Sequence, residues 1–449
     1  MSSLPTIPPG SAPAGTAANA AVLAAQTGGL SLGRCLALAL GWAALLVALA
    51  LAVDVLLTGP PWLTARNFGN WDAEHYRYIA AHGYDVLRTA FFPLFPWLWR
   101  GLGVDDLSMG LVNAALFVGA FAGLAWQFRW SGRQQLVLLS VPSLLFMALP
   151  YSEAVFFVSG ALVLVGLRRD ATGLYCLGLG LSCLSRSAAF VLVPAVLATA
   201  VLAGTGRWGG AEGSRRRGQA LAGGAAALLG LGLTVLVQYR ATGRWFVFFE
   251  AQQHWDNRLR WPSWPLTNWG GSFPTCFEGP AFAVGVVAAL SLGWLGWQRL
   301  GQQAAAAEPL AGSSASAPVV FSLAYVAGIT AITLATKGGV LVSLSRYVYA
   351  TPYFLLLLAT YLGRVRLTGR QLLGMALALE LGWLAFFRAF GHIRTLGNWT
   401  LVTAAVLLYL ANAHQSPRVR RAVYWPTVAG GTALLLLLLF RFLRHEWVA

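Results

Sequence analysis

The chain has 449 residues, of which 57% are hydrophobic and only 10% charged, and its formal net charge is +16. About a quarter of the residues of a soluble globular protein are charged, so that class is excluded. Nucleic acid is excluded as a partner as well: apart from Lys337 the 31 basic residues are arginines spread over short loops, with SRRRG (Ser214 to Gly218) the single dense run, whereas a nucleic-acid footprint concentrates basic residues on one face.

Residues 1–33 are mostly Ala, Pro, Ser, Gly and Thr without a charge, which predicts a disordered tail. From Arg34 onward apolar runs of about 20 residues recur, the length a helix needs to cross the bilayer core. Backbone in lipid must pair internally, and the alternation expected of a barrel strand is missing. The prediction is therefore an all-α polytopic integral membrane protein, with 34–449 as one transmembrane domain of about 11–13 helices. The predicted spans are 35–57, 108–128, 134–150, 153–167, 171–185, 188–206, 218–238, 279–298, 318–336, 347–363, 371–388, 399–413 and 423–443, with short or re-entrant segments as the alternative at 134–150 and 171–206. The first is too long for a signal-peptide core and reads as an uncleaved span.

Arginine bias in the short loops places Arg129, Arg133, Arg168, Arg169, Arg215 to Arg217, Arg299, Arg364, Arg366 and Arg370 in the cytoplasm. Two long loops, about 58–107 and 239–278, then face out. The acids favour that side: Asp72, Glu74, Asp85, Asp105, Asp106, Glu153, Glu250, Asp256 and Glu278. Thirteen spans leave Arg441 and Arg444 outside, against the bias. The outer loops also collect tryptophans, among them Trp62, Trp71, Trp97, Trp99, Trp245, Trp255, Trp261, Trp264 and Trp269, as an interfacial belt does. The membrane implied is the bacterial cytoplasmic membrane, or the endoplasmic reticulum in a eukaryote.

The most polar stretch, NWDAEHYRYIAAHGY (Asn70 to Tyr84), follows the first span directly. Asn70 is placed to cap a helix with Asp72 and Glu74 in its first turn and Gly83 at its end. On that helix Asp72, His75, Tyr76 and Ile79 share one face, while Glu74 points elsewhere. Pro93 and Pro96 in AFFPLFPWL are expected to bar a regular helix and leave an aromatic bend. A carboxylate at a lipid boundary beside a histidine suits general-base work. The same spacing equally suits a solvated acid that complements the helix dipole.

WDAEHYRYIAAHGY followed by AFFPLFPWL resembles the signature of the PIG-V family, the GPI mannosyltransferase 2 type enzymes and their bacterial homologues, within the GT-C superfamily of membrane glycosyltransferases. Order, spacing and position after the first span all match. Weaker echoes are LSRSAAF (Leu184 to Phe190), where Ala188 and Ala189 replace an Asn-Gly of the family; EAQQHWDNRLRWP in the second long loop; and SLSRYVYATPYFLLLLA, which is similar to a late Arg-Tyr and Pro motif.

The resemblance implies a GT-C-like fold and a hexosyltransferase. Its donor would be a polyprenyl- or dolichyl-phosphate hexose, with mannose the first choice, and the acceptor a hydroxyl on the outer side. It implies inversion with Asp72 as base and Glu74 a distant second. Phosphate binding falls to Arg346 and then Arg186, since a planar guanidinium fork matches phosphate oxygens. His75, Tyr76, Gln252, Trp255, Arg258 and Tyr347 are the further candidate substrate contacts. Snorkelling arginines and interfacial aromatics are the ordinary alternative for all of them.

No metal or cofactor is expected. Asp105 and Asp106 lack partner ligands and read as a solvated turn, and Cys35, Cys176, Cys183 and Cys276 form neither a CxxC nor a Cys/His cluster. Two intramembrane acids, Asp54 and Glu380, support a rival class, a transporter or flippase. No internal repeat with paired Gly/Pro breaks accompanies them. A non-catalytic lipid-binding subunit is the third class, and it leaves the polar helix without a task.

Overall fold

Ser31 accepts a hydrogen bond from the Arg34 amide and starts the first helix, α1 (Leu32–Leu56), so the chain is helical two residues before the predicted boundary. The computed structural model describes residues 29–57, 60–203, 211–305, 316–387 and 393–448; of the predicted tail, 1–28 lie outside the described residues. The first long loop carries α2 (Ala65–Phe68), α3 (Asp72–His82) and α4 (Leu94–Leu102). Pro96 was expected to prevent a helix, yet it sits in the first turn of α4, where its missing N–H costs no helical bond.

Then come α5 (Asp106–Gln127), α6 (Gly132–Leu139), α7 (Glu153–Arg169), α8 (Thr172–Ser185), α9 (Leu192–Leu202), α10 (Ala211–Thr242), α11 (Val247–His254), α12 (Ser272–Ala305), α13 (Ala317–Lys337), α14 (Leu344–Tyr349), α15 (Pro352–Arg364), α16 (Gly369–Phe387), α17 (Ile393–Ala411) and α18 (Pro417–Leu443). Among the described residues the only β pairing is two isolated bridges.

Seven of these helices, α1, α5, α10, α12, α13, α16 and α18, are long and apolar enough to cross a membrane, and three shorter apolar helices accompany them. The chain is thus an all-helical, multi-pass membrane protein. α1 and α16 leave most of their apolar side chains exposed, as helices bordering lipid do.

The predicted span 134–150 is not a single helix. It divides into α6 and a 3-10 turn, Pro142–Ala148, that meets α7 at 104°. Pro150 explains the break: the residue before a proline avoids helical backbone, and Leu149 is extended at ψ 156°. α7 therefore begins afresh with Glu153 in its first turn.

α7 and α8 run antiparallel with their backbones nearly touching. A methyl group on Gly166 would lie 2.5 Å from the Tyr175 amide nitrogen, and one on Gly178 would lie 2.6 Å from that of Val163. Small residues at such a crossing bring helices into contact in lipid, where no hydrophobic force does so. This pairing puts Glu153, opening α7, and Arg186, just past the end of α8, at one end of the bundle.

The final helix returns to that same end. Asn70 donates to the Phe442 carbonyl at 2.9 Å, and His445 stacks on Trp71 at 4.7 Å. Arg441 and Arg444 thus lie on the face of the first long loop, with Arg441 paired to Glu446 at 2.7 Å and Arg444 over Trp62.

Candidate active site

The site begins at an unusual backbone. Trp71 precedes α3 with φ 58° and ψ −121°, a conformation that costs a bulky residue about 1–3 kcal/mol. Its indole is gripped by His445, by Trp447 at 5.2 Å and by Trp269 at 6.2 Å. Asn70 does not cap α3, as its position suggested; its amide is committed to Phe442, and α3 starts without a side-chain cap.

Asp72 is the first residue of α3. Of the predicted face, Tyr76 and Ile79 are buried while Asp72 and His75 are half-buried, and Glu74 is exposed. Tyr76 donates to Ser152 Oγ at 2.7 Å, which pins α3 to the start of α7. Its hydroxyl is therefore engaged inside the protein.

Three charged side chains meet behind Asp72. Arg346 donates from Nη2 to Asp72 Oδ2 at 2.6 Å and from Nε to Glu153 Oε1. Arg186 pairs with that same Glu153 oxygen at 2.6 Å. The side chains of Glu153, Arg346 and Arg186 are 0%, 5% and 7% exposed, against 24% for Asp72. The result is a chain of alternating charge, Asp72, Arg346, Glu153, Arg186, in which only the first member reaches solvent appreciably. Tyr347 lies beneath both guanidinium groups, with its ring 5.0 Å from Arg186 and 5.8 Å from Arg346. The rings of Tyr151 and Phe146 cover Arg346 further.

Glu153 was expected only as one of several outer acids, with no site role. Its position at the head of an apolar run was the available signal. Glu278 was overlooked in the same way: fully buried, it accepts the Ser345 amide at 2.6 Å and so steadies α14, the short helix that carries Arg346.

The second long loop reaches His75 through Trp255. Trp255 donates to the Leu87 carbonyl at 3.3 Å and stands edge-on to His75 at 5.2 Å, while Phe91 stacks on the imidazole at 4.9 Å and touches Trp255 as well. Burial between these rings pushes the His75 pKa below its ordinary value of 6.5, and the nearby Asp72 charge opposes the shift. His75 Nδ1 is buried without a hydrogen-bond partner among the described residues.

Gln252 accepts a bond from Asn257, and the Arg258 side chain is exposed with no partner among the described residues. Neither is brought to Asp72 by any contact. Asp106, expected as a solvated turn, is instead 6% exposed and paired with Arg77 at 2.5 Å, while Asp105 caps α5 through the Ser108 amide. Asp54 accepts the Trp62 and Leu63 amides. Glu380 is half-buried in α16 without an ion pair among the described residues.

Chemically, the cluster presents a carboxylate with one oxygen held by Arg346 and the other, Oδ1, unbonded among the described residues. The remaining N–H donors of Arg346 and Arg186 are likewise unpaired among those residues. A proton acceptor and anion-binding donors thus occupy one site. Comparisons with protein-family models, with curated proteins and with solved structures returned no match.

Proposed function

We propose that the chain is a membrane glycosyltransferase of the GT-C type, transferring a hexose, with mannose the first candidate, from a polyprenyl- or dolichyl-phosphate to an acceptor hydroxyl on the face that carries Asp72. The observation that carries this reading is the direct Asp72–Arg346 contact of 2.6 Å at the head of a loop helix beside the membrane spans. A base and a phosphate-binding donor set are the two things this transfer requires.

In the proposed step the acceptor O–H gives its proton to Asp72 Oδ1 as its oxygen bonds the anomeric carbon. The bond from that carbon to the phosphate oxygen breaks on the opposite face, and the lipid phosphate leaves with the electron pair. The transition state resembles an oxocarbenium ion, as in glycoside hydrolysis. Charge builds on the leaving phosphate, where N–H donors of Arg346 and Arg186 stabilise it without a general acid. His75, neutral between its aromatic neighbours, and Trp255 offer the sugar a polar edge and a ring to stack on.

Label transfer from polyprenyl-phosphate mannose to a native lipid extract tests this, with wild type and Asp72→Asn assayed as folded proteins in membranes. Loss of the base is expected to lower transfer by about 10²–10⁴-fold. Equal transfer by both proteins removes Asp72 from the role. Wild-type inactivity across a panel of hexose donors and acceptor extracts sinks the transferase reading in favour of transport or scaffolding.

A further inference from the structure

α7, which opens with Glu153 of the Asp72 cluster, also reaches a second polar region at its opposite end. α7 spans 17 residues, about 24 Å at the helical rise, from Glu153 to Arg169. There a cavity of about 1080 Å³ is lined by Arg129, Arg168, Arg215, Arg216, Arg364 and a single acid, Asp170. Asp170 pairs with Arg215 at 3.0 Å, and Arg216 also donates to the Ala203 carbonyl. Arg129 and Arg364 form no ion pair among the described residues.

Arginine bias alone requires only that such residues lie on this side of the membrane. It does not require them to converge. These five come from four separate places in the chain: the turn after α5, the end of α7, the start of α10 and the end of α15. Arg129 holds a left-handed backbone, φ 54°, which a non-glycine residue rarely adopts. Gly29 packs so close to it that an added methyl group would come within 2.9 Å of its Cβ. Deeper in, the wall turns apolar at Val196, Ala200, Leu356 and Ala359. A cationic mouth over an apolar floor fits an anionic group with a greasy attachment.

We propose that this cavity is a second ligand site, on the face opposite Asp72, that binds a phosphomonoester or diphosphate group, whether at the head of a lipid or free in water. Guanidinium forks hold phosphate oxygens through paired N–H bonds, and Arg129, Arg168 and Arg364 are donors with no competing carboxylate among the described residues. The inference stands on this cavity alone and does not depend on the chemistry at Asp72.

The test uses the full chain in phosphatidylcholine nanodiscs, with dioleoyl phosphatidic acid and inorganic pyrophosphate as probes and native mass spectrometry as the readout. Wild type is expected to retain a probe in preference to phosphatidylcholine. The exposed double variant Arg129→Gln/Arg364→Gln should weaken retention on the order of tenfold or more, as expected for lost charged hydrogen bonds. Asp170→Asn, which suits the left-handed φ of 54° at that position and frees Arg215, should strengthen it.

Retention of phosphatidic acid with this pattern assigns a lipid headgroup. Retention of pyrophosphate alone with the same pattern keeps the site and assigns an aqueous ligand. Failure of wild type to retain either probe overturns the proposal, as does equal retention by wild type and the double variant.

Discussion

The two ends of α7 handle charge in opposite ways. At the Glu153 end two carboxylates and two guanidinium groups are matched one for one and largely shielded from water. At the Arg168 end four exposed arginines, Arg129, Arg168, Arg215 and Arg364, face one aspartate among the described residues. A buried charge persists only with a partner, because its desolvation is otherwise uncompensated. An exposed charge is solvated by water, so an unmatched excess there is free for a ligand at little cost in stability.

Substitutions at the buried end should therefore damage the fold, and those at the exposed end should change only binding. Glu153→Ala leaves two guanidinium groups facing each other without their shared acid. It should cost about 3–5 kcal/mol, measured by denaturant or thermal unfolding in detergent. Arg364→Gln on the far face should cost no more than about 0.5 kcal/mol. Comparable losses in the two variants would erase the distinction.

Glu278→Ala sharpens it next. Without this carboxylate the buried Ser345 amide loses its acceptor, at about 1–3 kcal/mol. Because α14 carries Arg346, label transfer should fall further than Arg364→Gln lowers it.

A pH titration supplies a smaller effect. The folded-state pKa of His75 lies below its unfolded value because burial disfavours the charged ring. The unfolded chain therefore binds the extra proton first. Stability should be complete above the ordinary value of 6.5 and decline as pH falls below it, and His75→Gln should flatten that decline. An identical pH profile in the variant would place the titrating group elsewhere. Least of all, Arg258→Gln should change transfer by less than about twofold, as an exposed side chain without a partner does.

The helical, membrane-spanning character was legible because apolar runs of the right length are a local property of the sequence. One local rule misled: Pro96 seemed a helix breaker where it is a tolerated first-turn residue. The run 134–150, readable as a span or as a short or re-entrant segment, is the broken kind, divided at Pro142 and Pro150. Asp72, His75 and Arg346 stood out as polar residues in aromatic or apolar surroundings. What could not be read was their pairing. Arg346 lies 274 residues from Asp72 and 193 from Glu153, and no periodicity connects positions so far apart. Glu153 in consequence looked like one more interfacial acid, and the two arginines looked free for phosphate when each already holds a carboxylate.

The bond from Asn70 to Phe442 has a consequence for how the protein is made. Its partners are separated by 372 residues, so at about 5–20 residues per second the ribosome needs about 20 to 75 s between them. Throughout that interval Trp71 lacks His445 and Trp447, the rings that hold its strained backbone. The helix that begins at Asp72 is thus left unanchored on that side until α18 has been threaded into the membrane, and a chain stalled one helix short carries every charged residue of the site without the clasp that fixes the first of them.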